Sequence, residues 1–142
     1  MLKVRLRVVS AWALALLLFF VHLTISPPKL MGDPGWAQRF TEWGYSARVM
    51  SGVGMTELLA SALLLVPKLA FYGAGMLVVV LGFTGYNIWA EPAGALSSQS
   101  NSLAFTMQLF LMAAAVAALR YPEAWGVRPE GSSSAKEADG AD

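Results

Sequence analysis

The pattern of apolar residues divides most of this chain into four long hydrophobic runs. The runs cover residues 8–26, 49–66, 69–90 and 102–119. Each is close to the roughly 20 apolar residues that an α-helix needs to cross a hydrocarbon core. Because a helix satisfies its own backbone hydrogen bonds in lipid, the runs predict an all-α fold. We expect an integral membrane four-helix bundle that occupies residues 1–120.

The stretch between the first two runs predicts a short amphipathic helix over residues 34–43. Asp33 and the proline after it are typical of a helix start, because a carboxylate caps free N–H groups and proline needs none. Trp36, Phe40 and Trp43 recur at i, i+4 and i+7, so they form one apolar face. Such a helix lies along a membrane interface. Its aromatic face would act either as an anchor at headgroup depth or as a lid over an opening in the bundle.

Charges lie mainly at the ends of the runs. Basic residues precede the first run, separate the second from the third and follow the fourth: Lys3, Arg5, Arg7, Lys68 and Arg120. Cytoplasmic segments carry an excess of lysine and arginine, so we expect both termini in the cytoplasm. The polar segment 121–142 has too little apolar surface to stabilise a fold, and it is expected to be a disordered cytoplasmic tail.

The first run has a second interpretation, as a cleaved signal peptide behind a basic leader. Its apolar stretch is long for a signal peptide, and the residues after it do not form a small-x-small cleavage site. We therefore favour a retained membrane span.

Composition supports a membrane protein and excludes several kinds of site. Hydrophobic residues make up 56% of the chain and charged residues 13%, against roughly 25% charged residues in ordinary soluble domains. A net charge of +1 gives no reason to expect a nucleic-acid partner. The chain has no cysteine and one histidine, which excludes thiol catalysis, disulfides and a multi-histidine metal site within one chain.

Glu57 is the only carboxylate inside the four runs. An ionised side chain at the centre of a membrane helix costs about 2.5 to 3.5 kcal/mol on the lenient insertion scale, so it normally faces a protein interior. Gly54 and Ser61 share one helix face with Glu57, and small residues let neighbouring helices approach closely. The pattern therefore predicts that Glu57 points into the bundle.

Other strongly polar residues of the runs fall in the same, outer half of the membrane when depth is counted along each helix. The candidate ligand-binding or proton-relay residues are Glu57, His22, Tyr86, Asn87 and Gln108, with Thr84 a turn deeper. One hypothesis is a proton-coupled polar pocket for a small polar or quinone-like ligand, roofed by the short helix. The other is a hydrogen-bond network, from Glu57 to His22 or to Tyr86 and Gln108, that fastens helices together.

Several local motifs together resemble the DoxX-like family of small four-span membrane proteins. They are PPKLMG after the first run, WAQRFTEWGY in the short helix, G-x-x-E-L-L-A-S-A-L-L-L-V-P in the second run, and the glycine that opens the third. The resemblance covers residues 16–119 and carries over Lys29, Gly54, Glu57 and Pro67. Relatives often have histidine or threonine where this chain has Tyr86 and Asn87, and His22 is unusual for its position.

The resemblance implies two functions. Some members support quinone-linked oxidation of sulfur compounds or redox assemblies in the bacterial inner (plasma) membrane, which makes a quinone the expected cofactor and a redox protein the expected partner. Distant animal relatives are assembly chaperones for membrane receptors. We therefore expect an accessory subunit of a quinone-linked redox system, or a membrane assembly factor without catalysis. The residues indicate no catalytic group and no metal site, and they leave a homo-oligomer open.

Overall fold

The computed structural model describes residues 2–91 and 96–124, with side chains described for residues 6–91 and 102–121. Within these ranges the protein is all-helical, as predicted. The helices are α1 (Leu2–Met31), α2 (Pro34–Glu42), α3 (Ala47–Leu63), α4 (Ala70–Ala90) and α5 (Leu96–Ala124).

In the described part of the chain, three helical segments are long and apolar enough to cross a membrane: Leu6–Met31, Ala70–Ala90 and Ser102–Tyr121. This supports the prediction of a membrane protein with transmembrane helices in contact with lipid. The second predicted run is also helical, but α3 has 17 residues, fewer than the roughly 20 that span a hydrocarbon core. After α3, residues 64–69 form the turns that contain Pro67 and lead into α4.

The four long helices pack in a ring. α1 lies against α3 and α5, α3 lies against α4, and α4 lies against α5. Small and aliphatic residues from all four helices form the buried core: Ala15, Leu18, Ala60, Leu64, Ala74, Leu77, Leu81, Leu109, Ala113 and Val116. The core thus lies at the centre of the ring, between the four helices.

Two glycines allow this close packing. A Cβ on Gly54 would lie 2.9 Å from the Cβ of Lys29 and 3.1 Å from the carbonyl oxygen of Ser26. A Cβ on Gly73 would lie 2.6 Å from the carbonyl oxygen of Ala60. The backbones of α1 and α3, and of α3 and α4, therefore approach each other at positions where only glycine fits.

α1 continues beyond the predicted end of the first run. Pro27 and Pro28 lie inside the helix, because the fixed φ of proline is itself helical. The helix ends at Gly32, whose φ of 75° is left-handed, and the N–H of Asp33 donates to the carbonyl of Pro28 at 3.0 Å. This is a Schellman motif. Lys29, which we expected in a loop, therefore belongs to the last turn of α1.

The short helix predicted from its cap is confirmed. The carboxylate of Asp33 accepts hydrogen bonds from the backbone N–H groups of Gly35 at 3.0 Å and Trp36 at 3.1 Å. The helix ends at Glu42, followed by Trp43 as the C-cap and Gly44 with a φ of 81°.

The predicted fourth run lies within a longer helix, because α5 extends from Leu96 to Ala124. Residues 121–124 thus continue α5, which corrects the predicted start of the tail. The remainder of that predicted disordered tail, residues 125–142, lies outside the described part of the chain.

Candidate functional site

Glu57 is completely buried and forms an ion pair with Lys29, which is 2% exposed. The Nζ of Lys29 donates to Oε1 of Glu57 at 2.6 Å and to Oε2 at 2.8 Å. The hydroxyl of Ser26 donates to Oε2 at 3.2 Å. Two charges can share an apolar interior only when they are paired and hydrogen-bonded, and both conditions are met here. The prediction that Glu57 points into the bundle is confirmed.

Local sequence features bring these residues together. Ser26 and Lys29 lie three positions apart on α1, so they share one helix face. Gly54 lies one turn before Glu57 on α3, and its missing side chain lets α1 approach at that level. The helical path through the two prolines is therefore what carries the Lys29 amine to the carboxylate.

A small cavity adjoins the ion pair. Its volume is about 60 Å³, and residues from all five helices line it: Ile25, Lys29, Trp36, Glu57, Leu81, Thr84, Phe105, Thr106 and Leu109. The hydroxyl of Thr84 is buried and has no hydrogen-bond partner within the described residues. The Lys29 ammonium has three N–H donors, of which two bonds to Glu57 leave one. The cavity thus presents two hydrogen-bonding groups within largely apolar walls.

α2 covers this site. The Nζ of Lys29 lies 4.4 Å from the centroid of the Trp36 ring, and the Cζ of Arg39 lies 5.9 Å from it. Both are within the range of cation–π contacts, worth about 0.5 to 2 kcal/mol each. Phe40 is completely buried and packs against Trp36 and Trp43 at centroid distances of 6.3 and 5.0 Å. The aromatic face of α2 is therefore turned onto the bundle.

A second cavity is a surface groove of about 330 Å³. Asp33, Gly35, Trp36 and Arg39 line it. Trp36 is the residue that lines both this groove and the buried cavity.

His22 is also completely buried, on the same face of α1 as Ser26. Its Nδ1 lies 2.8 Å from the carbonyl oxygen of Leu18. A carbonyl only accepts, so Nδ1 carries the hydrogen in this contact. Nε2 has no hydrogen-bond partner in the described part of the chain.

The remaining predicted site residues do not join the ion pair. Asn87 is 9% exposed, and its amide donates to the carbonyl of Phe83 at 2.8 Å on its own helix. Tyr86 is 65% exposed, and Gln108 also lies on the outside of the bundle. The hydrogen bonds of Glu57 go to Ser26 and Lys29, which corrects the network that we expected with His22, Tyr86 or Gln108.

The sequence thus predicted Glu57 and Trp36 as site residues, but it did not predict that Lys29 is the partner of Glu57. We predicted that the first run ends at residue 26, which places Lys29 in the loop that follows it. The signal was present, since Ser26 and Lys29 follow His22 at i+4 and i+7 and continue its helix face.

Comparisons of this chain with protein-family models, with curated proteins and with solved structures find no match.

Proposed function

We propose that this protein is a DoxX-like accessory subunit of a quinone-linked redox system in the bacterial inner membrane. In this proposal the four long helices all span the bilayer, and the site at Lys29 and Glu57 binds the polar head of a quinone. One observation carries the proposal: a buried ion pair and an unpartnered hydroxyl, that of Thr84, line one cavity inside an apolar bundle. No catalysis by the chain alone is part of it.

Exposed aromatic residues support the membrane position. Tyr72 is 56% exposed near the start of α4 and Trp89 is 68% exposed near its end. The two lie about 26 Å apart along the helix axis, close to the roughly 30 Å of a hydrocarbon core whose interfaces favour tyrosine and tryptophan. α2 then lies at the interface near Trp89. The charge pattern puts both termini at the opposite, cytoplasmic side.

The polar groups of the cavity suit a carbonyl oxygen. The third N–H of Lys29 and the hydroxyl of Thr84 can both donate to such an acceptor. Trp36 and Phe105 supply aromatic walls, on which a flat ring can stack. The cavity of about 60 Å³ holds only the edge of such a ring, since sites for whole drug-sized ligands measure about 300 to 1,000 Å³. Binding therefore requires α2 to move outward.

The test is the binding of a quinone analogue to the purified protein, measured by the quenching of tryptophan fluorescence. Glu57→Gln removes the charge that holds Lys29 in place, so we expect affinity to fall by about tenfold or more, the equivalent of 1.4 kcal/mol. Ser61→Ala is the matched control. Ser61 is buried on the same helix, and its hydroxyl bonds to the carbonyl of Leu58, away from the cavity.

Thr84→Val provides a second variant if Glu57→Gln does not fold. It removes the unpartnered hydroxyl and leaves the ion pair intact, and it too should weaken binding. Equal effects of the cavity and control variants, or no binding by the unaltered protein, would contradict the proposal.

The second candidate is a membrane assembly factor that holds another membrane protein. Two observations favour it. The Glu57 carboxylate already accepts three hydrogen bonds from Ser26 and Lys29, and the cavity beside it is too small for a whole ligand. In that case Lys29→Met combined with Glu57→Gln should keep the partner in a pull-down from membranes. A pyridine-nucleotide or sulfur oxidoreductase gene next to this one would favour the redox function instead.

A further inference from the structure

Trp36 lines two cavities of different character. One is the cavity of about 60 Å³ with Lys29 and Thr84 in its wall, and the other is the groove of about 330 Å³ that Asp33 and Arg39 line. The indole ring rests on the Lys29 ammonium at 4.4 Å. Movement of this one side chain would join the two cavities.

α2, the helix that carries Trp36, has a glycine on each side that can act as a hinge. Gly32 precedes α2 with a φ of 75°, and Gly44 follows it with a φ of 81°. Both are in the left-handed region, and no atom lies within 4 Å of a Cβ placed on either glycine. Hinges are short segments at the ends of elements that absorb large changes in φ and ψ, and glycine does so with little steric cost. α2 can therefore turn as one piece about these two points.

A polar contact at the end of α4 holds α2 in place. The Nε of Arg39 lies 2.9 Å from Oε1 of Glu91, and the indole N–H of Trp43 donates to the same oxygen at 2.9 Å. Arg39 is 23% exposed and Glu91 11% exposed. Both contacts join α2 to the end of α4, so they must break when α2 moves away from the bundle.

From these observations we infer that α2 is a hinged lid over the Lys29–Glu57 site. In the closed position the Trp36 side chain blocks the site, and the contact with Glu91 holds α2 in place. When α2 moves outward, the site opens to the surface groove. The molecules admitted by this route are small and water-soluble and carry neutral acceptor oxygens, such as the carbonyl groups of a quinone head, because each cation along the route already has a carboxylate partner. They meet the guanidinium of Arg39 in the groove and then the free N–H of Lys29. The inference rests on the proposed function for the identity of the site, and it adds an aqueous route of entry.

The chain has no cysteine, so a single introduced thiol can report on this route. Thr84→Cys places the thiol in the wall of the buried cavity. The probe is a membrane-impermeant methanethiosulfonate that carries a sulfonate group, applied to the protein in vesicles, and the readout is the labelling rate by mass spectrometry. We expect slow labelling of Thr84→Cys alone and at least severalfold faster labelling when Glu91→Gln or Trp36→Ala is added.

Ser61→Cys is the matched control, because Ser61 is as buried as Thr84 and lies outside the cavity. Its labelling should stay slow in all backgrounds. The inference is overturned if Glu91→Gln and Trp36→Ala leave the rate at Thr84→Cys unchanged, or if they accelerate Ser61→Cys equally, which would indicate general loosening. No quinone is used, so failure of the proposed function and failure of the lid are separate results.

Discussion

Each end of the bundle buries a cation beside a tryptophan ring, but the hydrogen bonds around the two cations differ. At one end the Lys29 ammonium lies 4.4 Å from the Trp36 centroid. At the other, the guanidinium carbon of Arg120 lies 5.3 Å from the Trp12 centroid, and Arg120 is 3% exposed. About 26 Å of α1 separates Trp12 from Lys29.

The two ends differ in the hydrogen-bond acceptors that their basic side chains meet. Next to Arg120, the Nε of Arg7 donates to the carbonyl oxygen of Leu119 at 2.9 Å, and its Nη2 donates to the same atom. A cation near the carbonyl end of a helix complements the helix dipole and ties α1 to α5. Lys29 instead meets the carboxylate of Glu57 at the wall of a cavity. We conclude that the Arg7 contact ties α1 to α5, whereas the Lys29 end also presents polar atoms to a cavity.

The largest expected effect on stability is that of Glu57→Gln. The substitution leaves the buried Lys29 ammonium without its counter-ion, and breaking one side of a buried pair costs about 3 to 5 kcal/mol. We expect a large fall in the melting temperature of the detergent-solubilised protein. The double variant, Lys29→Met with Glu57→Gln, should recover most of the loss, because no unpaired charge remains.

Arg7→Met is the matched change at the opposite end. Arg7 is only partly buried, and its acceptor is a neutral carbonyl, so we expect a loss of about 1 to 2 kcal/mol. A loss equal to that of Glu57→Gln would remove the distinction between the two ends.

Gly54→Ala should have the next largest effect. The new Cβ would meet the backbone of α1 at 3.1 Å, which forces α1 and α3 apart at the level of the ion pair and costs about 1 to 3 kcal/mol. The measurement is again the melting temperature, and quinone-analogue binding should weaken with it.

Gly52→Ala controls for helix propensity, since nothing lies within 4 Å of a Cβ at that position. It should leave stability unchanged or raise it by up to about 1 kcal/mol. If Gly54→Ala behaved like Gly52→Ala, the close approach of α1 and α3 would not be needed for the site.

The smallest effect is expected for Asp33→Ala. The carboxylate caps α2 through two N–H groups, and removal of such a cap costs about 1 kcal/mol. Hydrogen exchange by mass spectrometry should show faster exchange in α2 and unchanged exchange around Trp12. Equal acceleration at both places would mean that α2 does not open independently of the bundle.

The sequence predicted most of what depends on local chemistry. The cap at Asp33 and the spacing of Trp36 and Phe40 are enough to define α2, because capping and helical periodicity are short-range properties. The burial of Glu57 followed from the cost of a carboxylate in hydrocarbon and from the small residues on its helix face.

What could not be predicted depends on tertiary packing. Lys29 reaches Glu57 because α1 continues through Pro27 and Pro28, whereas proline in the interior of a soluble helix usually breaks it. We predicted Tyr86 and Gln108 as site residues, but position along a helix does not say which side faces the bundle. Both are exposed, whereas Thr84, two residues before Tyr86, faces the cavity.

The position of Lys29 in the last turn of α1 has a consequence for insertion into the membrane. Until α3 is present, the long aliphatic stem of Lys29 can carry its ammonium out to the lipid headgroups. Glu57, in the interior of its helix, has no comparable reach. In the proposed four-span arrangement, we therefore expect α1 to enter the bilayer unaided and α3 to be retained through its encounter with Lys29. α1 and α3 would then assemble as a pair before α4 and α5 join them.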